Sequence, residues 1–529
     1  MSSDKQQTDL TIALGKTVMK AHLKQRGHDP QSAHRPHVGI VNTSSGLAVC
    51  YAHLDEISAL VAAAVKAAGG LATEVRTSGP TDGLFFVLGG RKEVPSARDV
   101  LAKDVEMMAR GENLDGLIFL SSCDSTTPGH LLAAARLNLP AIVVPCGFQA
   151  GGSHCGRRVA IMDLYEGVGA VAAKRLSTEE LSEMAEVAIT SPGVCAGLGT
   201  ANTMHMVAEA LGLALPGTSP IWAGSERLRQ IAGEAGRHIL GLIEKGPRPA
   251  EILTESALRN AAAVVLASGG AATAVHHLQA LADQLGFSMD MHAVFDELGD
   301  HVKQSRFISP AGPGAMEDLE SSGGTLAIMK SIEAHLQRDA MTISGPLSDV
   351  LHGFSPSADA PLPVDDADAA LPGLVVLHGS LAPEGAVVRP GIAQAGMGIF
   401  EGPATVFQNP QALFDSMSSG RLASGSVAVV LGSIDDMACL VTGAGLGEDV
   451  AIVSNGGFSG LSRGLVVGFM KSAQTSDHPI FQVRDGDRIR IDVANRSLDW
   501  ERGPMNQNPE RRAASAASGA GSMAQGSGI

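Results

Sequence analysis

The segment SSCDSTTPGH, residues 121–130, places a thiol directly before a carboxylate, at the end of an apolar run and before a Pro-Gly pair that favours the start of a helix. Two further cysteines have similar surroundings. Cys50 precedes an apolar helical pattern, and Cys195 lies in a Gly-rich stretch before another. The unpaired N–H groups at the start of a helix stabilise a nearby thiolate, the form that binds iron or zinc. Cys50, Cys123 and Cys195 are therefore candidate metal ligands.

No C-x-x-C spacing links these three cysteines, and a free cysteine is more often a small buried hydrophobe than a ligand. We assign that alternative interpretation to Cys146, Cys155 and Cys439. Six cysteines spread over 529 residues lack the density of a disulfide framework. They are expected to be thiols in a reducing compartment.

The elements that must position these residues follow an α/β pattern. Apolar runs at 37–44, 114–123, 139–147 and 261–270 are each typical of a buried strand, and helical patterns alternate with them. Such an alternation predicts a parallel sheet, and functional groups gather at the carboxyl ends of its strands. We therefore predict an N-terminal α/β domain over residues 37–354.

The composition changes after residue 354. Residues 355–372 are rich in Pro, Ala and Asp without apolar periodicity, which predicts a linker or a surface loop. Short Gly-punctuated strands over 373–504 predict a separate β-rich, barrel-like domain. Residues 505–529 are of low complexity and predict a disordered tail, and residues 1–36 form an N-terminal extension.

Composition and charge limit the partners. The chain has 44% hydrophobic and 18% charged residues, an ordinary globular balance, and its length suggests more than one domain. A net charge of -16 argues against nucleic acid and anionic membranes as partners, so a small-molecule ligand is expected. The sequence has no leader of the secretory type and no apolar run long enough to span a membrane, which predicts a cytoplasmic protein.

Seven segments resemble the dihydroxy-acid and sugar-acid dehydratase family and occur in that family's order. They are GIVNTSSGLAVCYAHL, SCDSTTPGHLLAAARLNLPAIVVPCG, GVCAGLGTANTMHMVAEALGLALPGTS, GPGAMEDLESSGG, GSLAPEGAVVRPG, FEGPATVFQNP and SNGGFSGLSRGLVVG. They extend over most of the chain, and chance does not produce such a series.

The resemblance implies an iron-sulfur cluster bound by Cys50, Cys123 and Cys195, with one iron open to the substrate. Three cysteines suit a [2Fe-2S] or a [4Fe-4S] cluster equally. The resemblance also implies a small hydroxy acid as substrate and a serine base, Ser459 in GGFSG, that takes the proton from C2. Loss of a hydroxyl then gives an enol that becomes a 2-keto acid.

Three neighbours of these residues are expected at the substrate by the same resemblance: Ser125, Gly460 and Ser462. Members of the family are usually dimers or tetramers, so a homodimer or homotetramer is expected.

The family's magnesium ion, which binds the substrate carboxylate and 2-hydroxyl, has only part of its ligand set in this sequence. Asp82 and Asp124 match the family's two aspartates, but Ser125 stands where the family has a carbamylated lysine. The C-terminal glutamate motif is absent, and Asp436 or its neighbour Asp435 is the candidate substitute; the alternative is a solvated acidic pair. Because Mg²⁺ prefers six well-placed oxygens, this site is expected to bind it in a depleted form or not at all.

If the substrate carboxylate is held without magnesium, three arginines are candidates for a bidentate contact: Arg76, Arg157 and Arg158. Their alternative interpretation is ordinary surface charge.

Three functions remain open. The first is a cluster-dependent hydro-lyase that converts a 2,3-dihydroxy acid or sugar acid into a 2-keto acid. The second is an aconitase-like elimination or isomerisation at the cluster without magnesium, which the loss of lysine at Ser125 favours. The third is a non-catalytic iron-sulfur relative with a structural or redox-sensing role, which the intact GGFSG turn opposes.

Overall fold

The computed structural model describes residues 3–27, 29–87, 93–355, 371–390, 398–419 and 421–503. Most of the predicted linker, residues 356–370, lies outside the described residues, as does the whole predicted tail at 505–529. The domain boundaries that composition suggests therefore stay predictions.

The N-terminal half is rich in helices. Its elements in chain order are α1 (Ser3–Gln25), β1 (His37–Asn42), α2 (Leu54–Ala67), β2 (Leu71–Arg76), α3 (Asp82–Val87), α4 (Val94–Gly111), β3 (Gly116–Ser121), α5 (Thr126–Leu137), β4 (Ala141–Pro145), β5 (Gly152–His154), β6 (Arg157–Val159), α6 (Ile161–Ala172), α7 (Thr178–Val187), α8 (Thr200–Ala210), α9 (Glu226–Lys245), α10 (Pro249–Ile252), α11 (Glu255–Ser268), α12 (Thr273–Leu285), α13 (Met291–Gly299), α14 (Met316–Ser321), α15 (Gly324–Ser331), β7 (Met341–Thr342), β8 (Gly345–Pro346) and α16 (Leu347–His352).

A four-stranded parallel sheet forms the centre of this half, with the strand order β2-β1-β3-β4. Strands β1, β3 and β4 are buried at every residue, as expected for a sheet that helices cover on both faces. Helix α2 packs on α9, and α4 packs on α5. The predicted α/β class and parallel sheet are confirmed.

One predicted strand is wrong. Residues 261–270 lie mostly in helix α11, which ends at Gly269 with a positive φ of 67° and a hydrogen bond from its N–H to the Val265 carbonyl. Nearly every side chain of this helix is buried, because α8, α12, α13 and α15 surround it. A helix that is apolar on all sides has no 3.6-residue periodicity, so its sequence resembles that of a buried strand.

The C-terminal half is rich in strands. Its elements are β9 (Val375–Leu377), β10 (Ala386–Val388), β11 (Ile399–Phe407), α17 (Pro410–Ser419), β12 (Val427–Val430), α18 (Met437–Gly443), β13 (Ala451–Ser454), β14 (Val466–Gly468), β15 (Arg488–Asp492) and β16 (Ser497–Glu501).

These eight strands form one mixed sheet in the order β16-β15-β11-β12-β13-β14-β10-β9, and its two end strands meet. The N–H of Leu498 donates to the His378 carbonyl at 2.8 Å, and the N–H of His378 donates to the Arg496 carbonyl at 2.9 Å. These bonds nearly close the sheet, which removes the unpaired edges of an open one. The predicted barrel-like domain is confirmed.

Both faces of the central strand β12 are buried. Val427 and Val429 point into the barrel core, whereas Ala428 and Val430 belong to the core of the N-terminal half. The uninterrupted apolar run of β12 follows from this double packing. No helix within the described residues is long and apolar enough to cross a membrane.

Candidate active site

The candidate residues of the N-terminal half lie where the strands of the parallel sheet end. Cys50 lies in a single helical turn after β1, between Val49 and Tyr51, and Asp82 begins α3 after β2. Cys123 and Asp124 follow β3 directly and precede α5. Because the strands are parallel, their carboxyl ends meet at one edge, and four residues distant in sequence are brought to it.

Hydrogen bonds join these corners to the loop that carries Cys195. Ser122 Oγ donates to the Cys50 carbonyl at 2.6 Å, and the N–H of Ala201 donates to Asp124 Oδ1 at 2.9 Å. Asn202 Nδ2 donates to the Cys195 carbonyl at 2.8 Å. The first turn of α8 therefore holds both the carboxyl beside Cys123 and the backbone of Cys195.

The three thiols lie in one electrostatic neighbourhood. A side-chain hydrogen bond between Cys50 and Cys123, together with burial, raises the pKa of the Cys123 thiol well above its ordinary value. Burial and the nearby Asp124 and Cys50 do the same for the pKa of Cys195. In the metal-free chain, burial and the neighbouring acidic groups therefore disfavour the thiolate forms of Cys123 and Cys195.

The carboxyls form a second group beside the thiols. Burial and the charge of Asp124 raise the pKa of Asp82 to about 8, and burial and the charge of Asp436 raise the pKa of Asp124 to about 7. Asp436 is only 3% exposed, so the alternative of a solvated acidic pair at 435–436 is wrong. Such mutual elevation is typical of carboxyls that share one site.

Ser125 belongs to this cluster of carboxyls through a hydrogen bond to Asp82. Its Oγ donates a hydrogen bond to Asp82 Oδ2 at 2.7 Å, and both residues are buried. The second carboxyl oxygen of Asp82, Oδ1, is buried without a hydrogen-bond partner in the described parts of the chain. A buried carboxyl oxygen in this state is suited to a cation or a ligand donor.

The barrel contributes the loop that carries Ser459. This loop follows β13, while Asp435 and Asp436 follow the adjacent parallel strand β12, and the Ser459 N–H donates to the Asp435 carbonyl at 3.0 Å. Ser459 Oγ accepts a hydrogen bond from the Leu461 N–H at 3.2 Å. Ser462 is fully buried and donates its N–H to the Ser459 carbonyl at 3.1 Å, so it supports the turn from inside.

The turn packs directly on the start of α8. A Cβ on Gly460 would lie 2.7 Å from the Thr200 nitrogen and 2.7 Å from the Ala271 Cβ, so only glycine fits this approach. Thr200 is five positions after Cys195 in the sequence. Ser459 and the cysteine loop are therefore parts of one packed unit.

Arg389 links three backbone segments of this unit through hydrogen bonds. It is 1% exposed, and its guanidinium donates to the carbonyls of Gly460 at 2.8 Å, Leu198 at 3.0 Å and Gly269 at 2.8 Å. Burial lowers its pKa to about 9. No sequence pattern distinguishes this residue, because an arginine after a short strand usually lies at the surface.

The three candidate arginines lie elsewhere. Arg76 pairs with Asp55 at 2.8 Å and with Glu74 at 2.6 Å, and Arg158 pairs with Glu317 at 2.9 Å. Arg157 is exposed on β6. Surface charge, the alternative interpretation, describes all three.

The thiols and carboxyls of the site are ligand atoms that suit the iron-sulfur cluster and the magnesium ion implied by the resemblance. Three thiols beside one another are the donor set for iron and sulfide, and buried carboxyl oxygens suit magnesium. In the described residues, however, no three His, Cys, Asp or Glu side chains are arranged to hold a single metal ion. A cluster is wider than one ion, so the thiols do not need to converge on a point, whereas the carboxyls would have to move.

Comparisons with known proteins agree with this geometry. The model for the dihydroxy-acid/6-phosphogluconate dehydratase N-terminal domain matches residues 35–349, and the model for the C-terminal domain matches residues 362–526. The chain is similar to the dihydroxy-acid dehydratase of Methanothermobacter thermautotrophicus, with 37% identity over 89% of this chain and 88% of that protein. It is also similar to the dihydroxy-acid dehydratase of Moorella thermoacetica, with 36% identity over 94% of this chain and 92% of that protein.

Proposed function

The chain belongs to the dihydroxy-acid/6-phosphogluconate dehydratase family, a family of lyases, and from this membership we propose that it removes water from a 2,3-dihydroxy acid or a sugar acid to give a 2-keto acid. One observation carries the proposal. Three thiols and three carboxyls from five separate segments influence one another's charge around one edge of the parallel sheet. Nothing in ordinary core packing requires such a concentration of acidic groups.

We propose that Cys50, Cys123 and Cys195 hold an iron-sulfur cluster. When bound, the cluster supplies a Lewis acid for the hydroxyl that leaves, since hydroxide is otherwise a poor leaving group. The burial that disfavours separate thiolates at Cys123 and Cys195 supports this role, because a bound cation removes the penalty on their charge. The neighbouring hydrogen bonds keep the loops of Cys50 and Cys195 in place before any metal binds.

We propose that Asp82, Asp124 and Asp436 hold magnesium in a depleted site. When bound, the ion supplies positive charge for the substrate carboxylate and for the charge that develops at C2. Ser125 offers a neutral oxygen at the lysine position, so the site has one anionic ligand fewer than the resemblance implies. Weak magnesium binding is the expected consequence.

We propose Ser459 as the base that takes the C2 proton. A serine hydroxyl is a poor base in water, but hydrogen bonds to its oxygen and a nearby cation lower the cost of the alkoxide. The N–H of Leu461 already donates to Ser459 Oγ. The contact of Gly460 with Thr200 keeps the serine loop against the cysteine loop.

The test is turnover by protein whose cluster is reconstituted without oxygen. A panel of aldonic acids and 2,3-dihydroxy acids is supplied with magnesium, and 2-keto acid is measured with a carbonyl reagent. The proposal predicts 2-keto acid from at least one acid. If iron and sulfide are present and no acid of either class is converted, the proposal is wrong.

Ser125 favours a second candidate, an aconitase-like elimination or isomerisation at the cluster without magnesium. Its hydroxyl is committed to Asp82, and it carries no group that can become an anionic ligand. This candidate predicts activity that survives removal of magnesium by a chelator but is lost when the cluster is oxidised. Strict magnesium dependence contradicts it, and a Ser125→Lys variant with greater magnesium content and activity would favour the magnesium-dependent reaction instead.

A further inference from the structure

The chain has only two tyrosines, and both lie among the acidic groups of the candidate site. The charges of Cys123, Cys50 and Asp82 act on Tyr51. The charges of Cys195, Asp436, Cys123 and Asp124 act on Tyr165, which comes from helix α6. Neither residue belongs to the cysteine, aspartate and serine sets that carry the proposed function.

The two hydroxyls differ in how they are used. The Tyr51 hydroxyl donates to the Pro80 carbonyl and lies 3.2 Å from Thr126 Oγ1, so its hydrogen bonding is complete. The Tyr165 side chain is 8% exposed, yet its hydroxyl forms no hydrogen bond to any part of the chain that the structure describes. A phenol in this state has a donor available for another molecule.

The location of the Tyr165 hydroxyl is fixed by Gly83. A Cβ added to Gly83 would lie 2.6 Å from this oxygen, so the glycine leaves the space into which the phenol projects. Gly83 follows Asp82, whose Oδ1 also lacks a partner within the described ranges. Two uncommitted polar groups, one donor and one acceptor, are thus found at the start of α3.

Three other donors of this region are already engaged with the protein. The Ser125 hydroxyl donates to Asp82, and the Arg389 guanidinium donates to backbone carbonyls. Arg463 pairs with Glu166 at 3.3 Å. A carboxylate that enters a site of thiols and aspartates needs a donor, because its oxygens are acceptors and the surrounding charge is negative.

We propose that Tyr165 is a substrate-contacting residue whose hydroxyl donates a hydrogen bond to an oxygen of the bound hydroxy acid. The inference rests on the proposed dehydratase function. The phenol acts as a neutral donor, and no proton leaves it during the contact. An ordinary tyrosine is protonated throughout the neutral range, so the contact does not require a tuned pKa.

The test removes only the hydroxyl oxygen of Tyr165. Tyr165→Phe is compared with the unaltered chain after anaerobic cluster reconstitution, with the acid that the unaltered chain converts fastest. The expected result is a value of kcat/KM that falls roughly 10- to 100-fold, the range for a hydrogen bond to a charged acceptor, with iron and sulfide contents unchanged. A value of kcat/KM within twofold of the unaltered chain, with equal cluster content, overturns the proposal.

The inhibition constant of 2-hydroxybutanoate, which has no 3-hydroxyl, shows which oxygen of the substrate the Tyr165 hydroxyl contacts. If the variant loses kcat/KM but keeps this constant, the phenol contacts the 3-hydroxyl; if the constant rises in parallel, the phenol contacts the carboxylate or the 2-hydroxyl. Both results support the proposal. A loss of kcat/KM accompanied by loss of iron overturns it, since the residue would then only support the cluster loops.

Two further variants test the location of the Tyr165 hydroxyl and provide a control. Gly83→Ala should displace the phenol and lower kcat/KM in the unaltered chain, but lower it less in the Tyr165→Phe background, where the opposing oxygen is absent. Equal losses in both backgrounds contradict the proposed location. Tyr51→Phe is the matched control: its lost bond is to the protein, so it should lower the Tm and leave the inhibition constant of 2-hydroxybutanoate unchanged.

The outcome for Tyr165 is separable from that for the dehydratase itself. If the unaltered chain forms no 2-keto acid, the proposed function fails, and the inference built on it fails with it. If the unaltered chain is active and Tyr165→Phe is equally active, only the role of Tyr165 is wrong.

Discussion

Arg389 Nη1 donates a hydrogen bond to the Gly460 carbonyl at 2.8 Å, and this bond links the end of β10 to the residue that follows Ser459. The same guanidinium reaches Leu198, in the loop after Cys195, and Gly269, at the end of α11. One buried cation therefore connects the proposed base, the third cysteine loop and the centre of the N-terminal half. Among the residues that the structure describes, no carboxylate pairs with this guanidinium, and backbone carbonyls solvate its charge.

Arg389→Met should therefore destabilise the protein and misplace the serine loop. The substitution keeps most of the side-chain volume but leaves three buried carbonyls without their donor, at about 1–3 kcal/mol for each unsatisfied group, offset in part by the loss of a buried charge. We expect a lower Tm and a lower kcat, with Arg389→Lys intermediate. Thermal unfolding and turnover check this. A Met variant as stable and active as the unaltered chain would show that the three contacts carry no net free energy.

Ser125→Ala should lower the stability of the metal-free protein. The variant removes the side-chain donor to Asp82, a buried carboxyl whose other oxygen has no partner in the described residues, and the cost of such a loss is about 1–3 kcal/mol. Urea unfolding at neutral pH measures the change. Ser153→Ala, in an exposed position of β5, is the control and should change little. Equal midpoints for the two variants would contradict the account of this pair.

Single replacement of each proposed cluster ligand should lower the iron and sulfide content. Cys50→Ser, Cys123→Ser and Cys195→Ser each remove one thiol from the group, so reconstituted protein should lose most of its visible absorption. Cys155→Ser is the matched control, because Cys155 is exposed on the β5–β6 hairpin, which forms a separate two-stranded sheet. Full cluster content in any of the three variants, or loss in the control, contradicts the assignment.

His130 should make the metal-free protein sensitive to acid. It is fully buried, bonds to Ser121 Oγ at 2.8 Å, and has its pKa lowered to about 3 by burial. The unfolded chain takes up a proton near pH 6.5 and the folded chain does not, so this contribution is complete above pH 6.5 and is lost as the pH falls toward 3.

Between pH 7.5 and 5.5 the loss from His130 should be about 1.4 kcal/mol in the free energy of unfolding. His130→Gln does not titrate, so its stability should change less over this interval by that amount. Urea unfolding of both proteins at the two pH values measures the difference. Identical pH dependence of the two proteins would show that His130 titrates in the folded chain as it does in the unfolded chain, and would contradict the lowered pKa.

The sequence predicted the site best where a candidate ligand follows a strand of the parallel sheet. Cys50 and Cys123 follow β1 and β3 closely, so the alternation of strands and helices was enough to predict that they meet at one edge. Helix α11 escaped recognition because burial on all sides removes the periodicity on which its identification depends. The wrong prediction concerns one element, and no candidate site residue lies in it.

Arg389 and Tyr165 could not be predicted, for a different reason. Arg389 bonds to carbonyls 71, 120 and 191 positions away in the chain, and Tyr165 approaches Gly83 across two helices. Tertiary packing alone decides whether such a side chain is buried or exposed.

Turnover by Ser459→Ala after anaerobic reconstitution tests the central claim most directly, with Ser472→Ala, an exposed serine bonded to Glu384, as the matched control. The account predicts that Ser459→Ala keeps its iron and sulfide but forms 2-keto acid at least about a hundredfold more slowly, as expected when the group that removes the C2 proton is lost. The control should retain the rate of the unaltered chain. A Ser459→Ala variant with full cluster content and an undiminished rate would contradict the claim that this turn supplies the base.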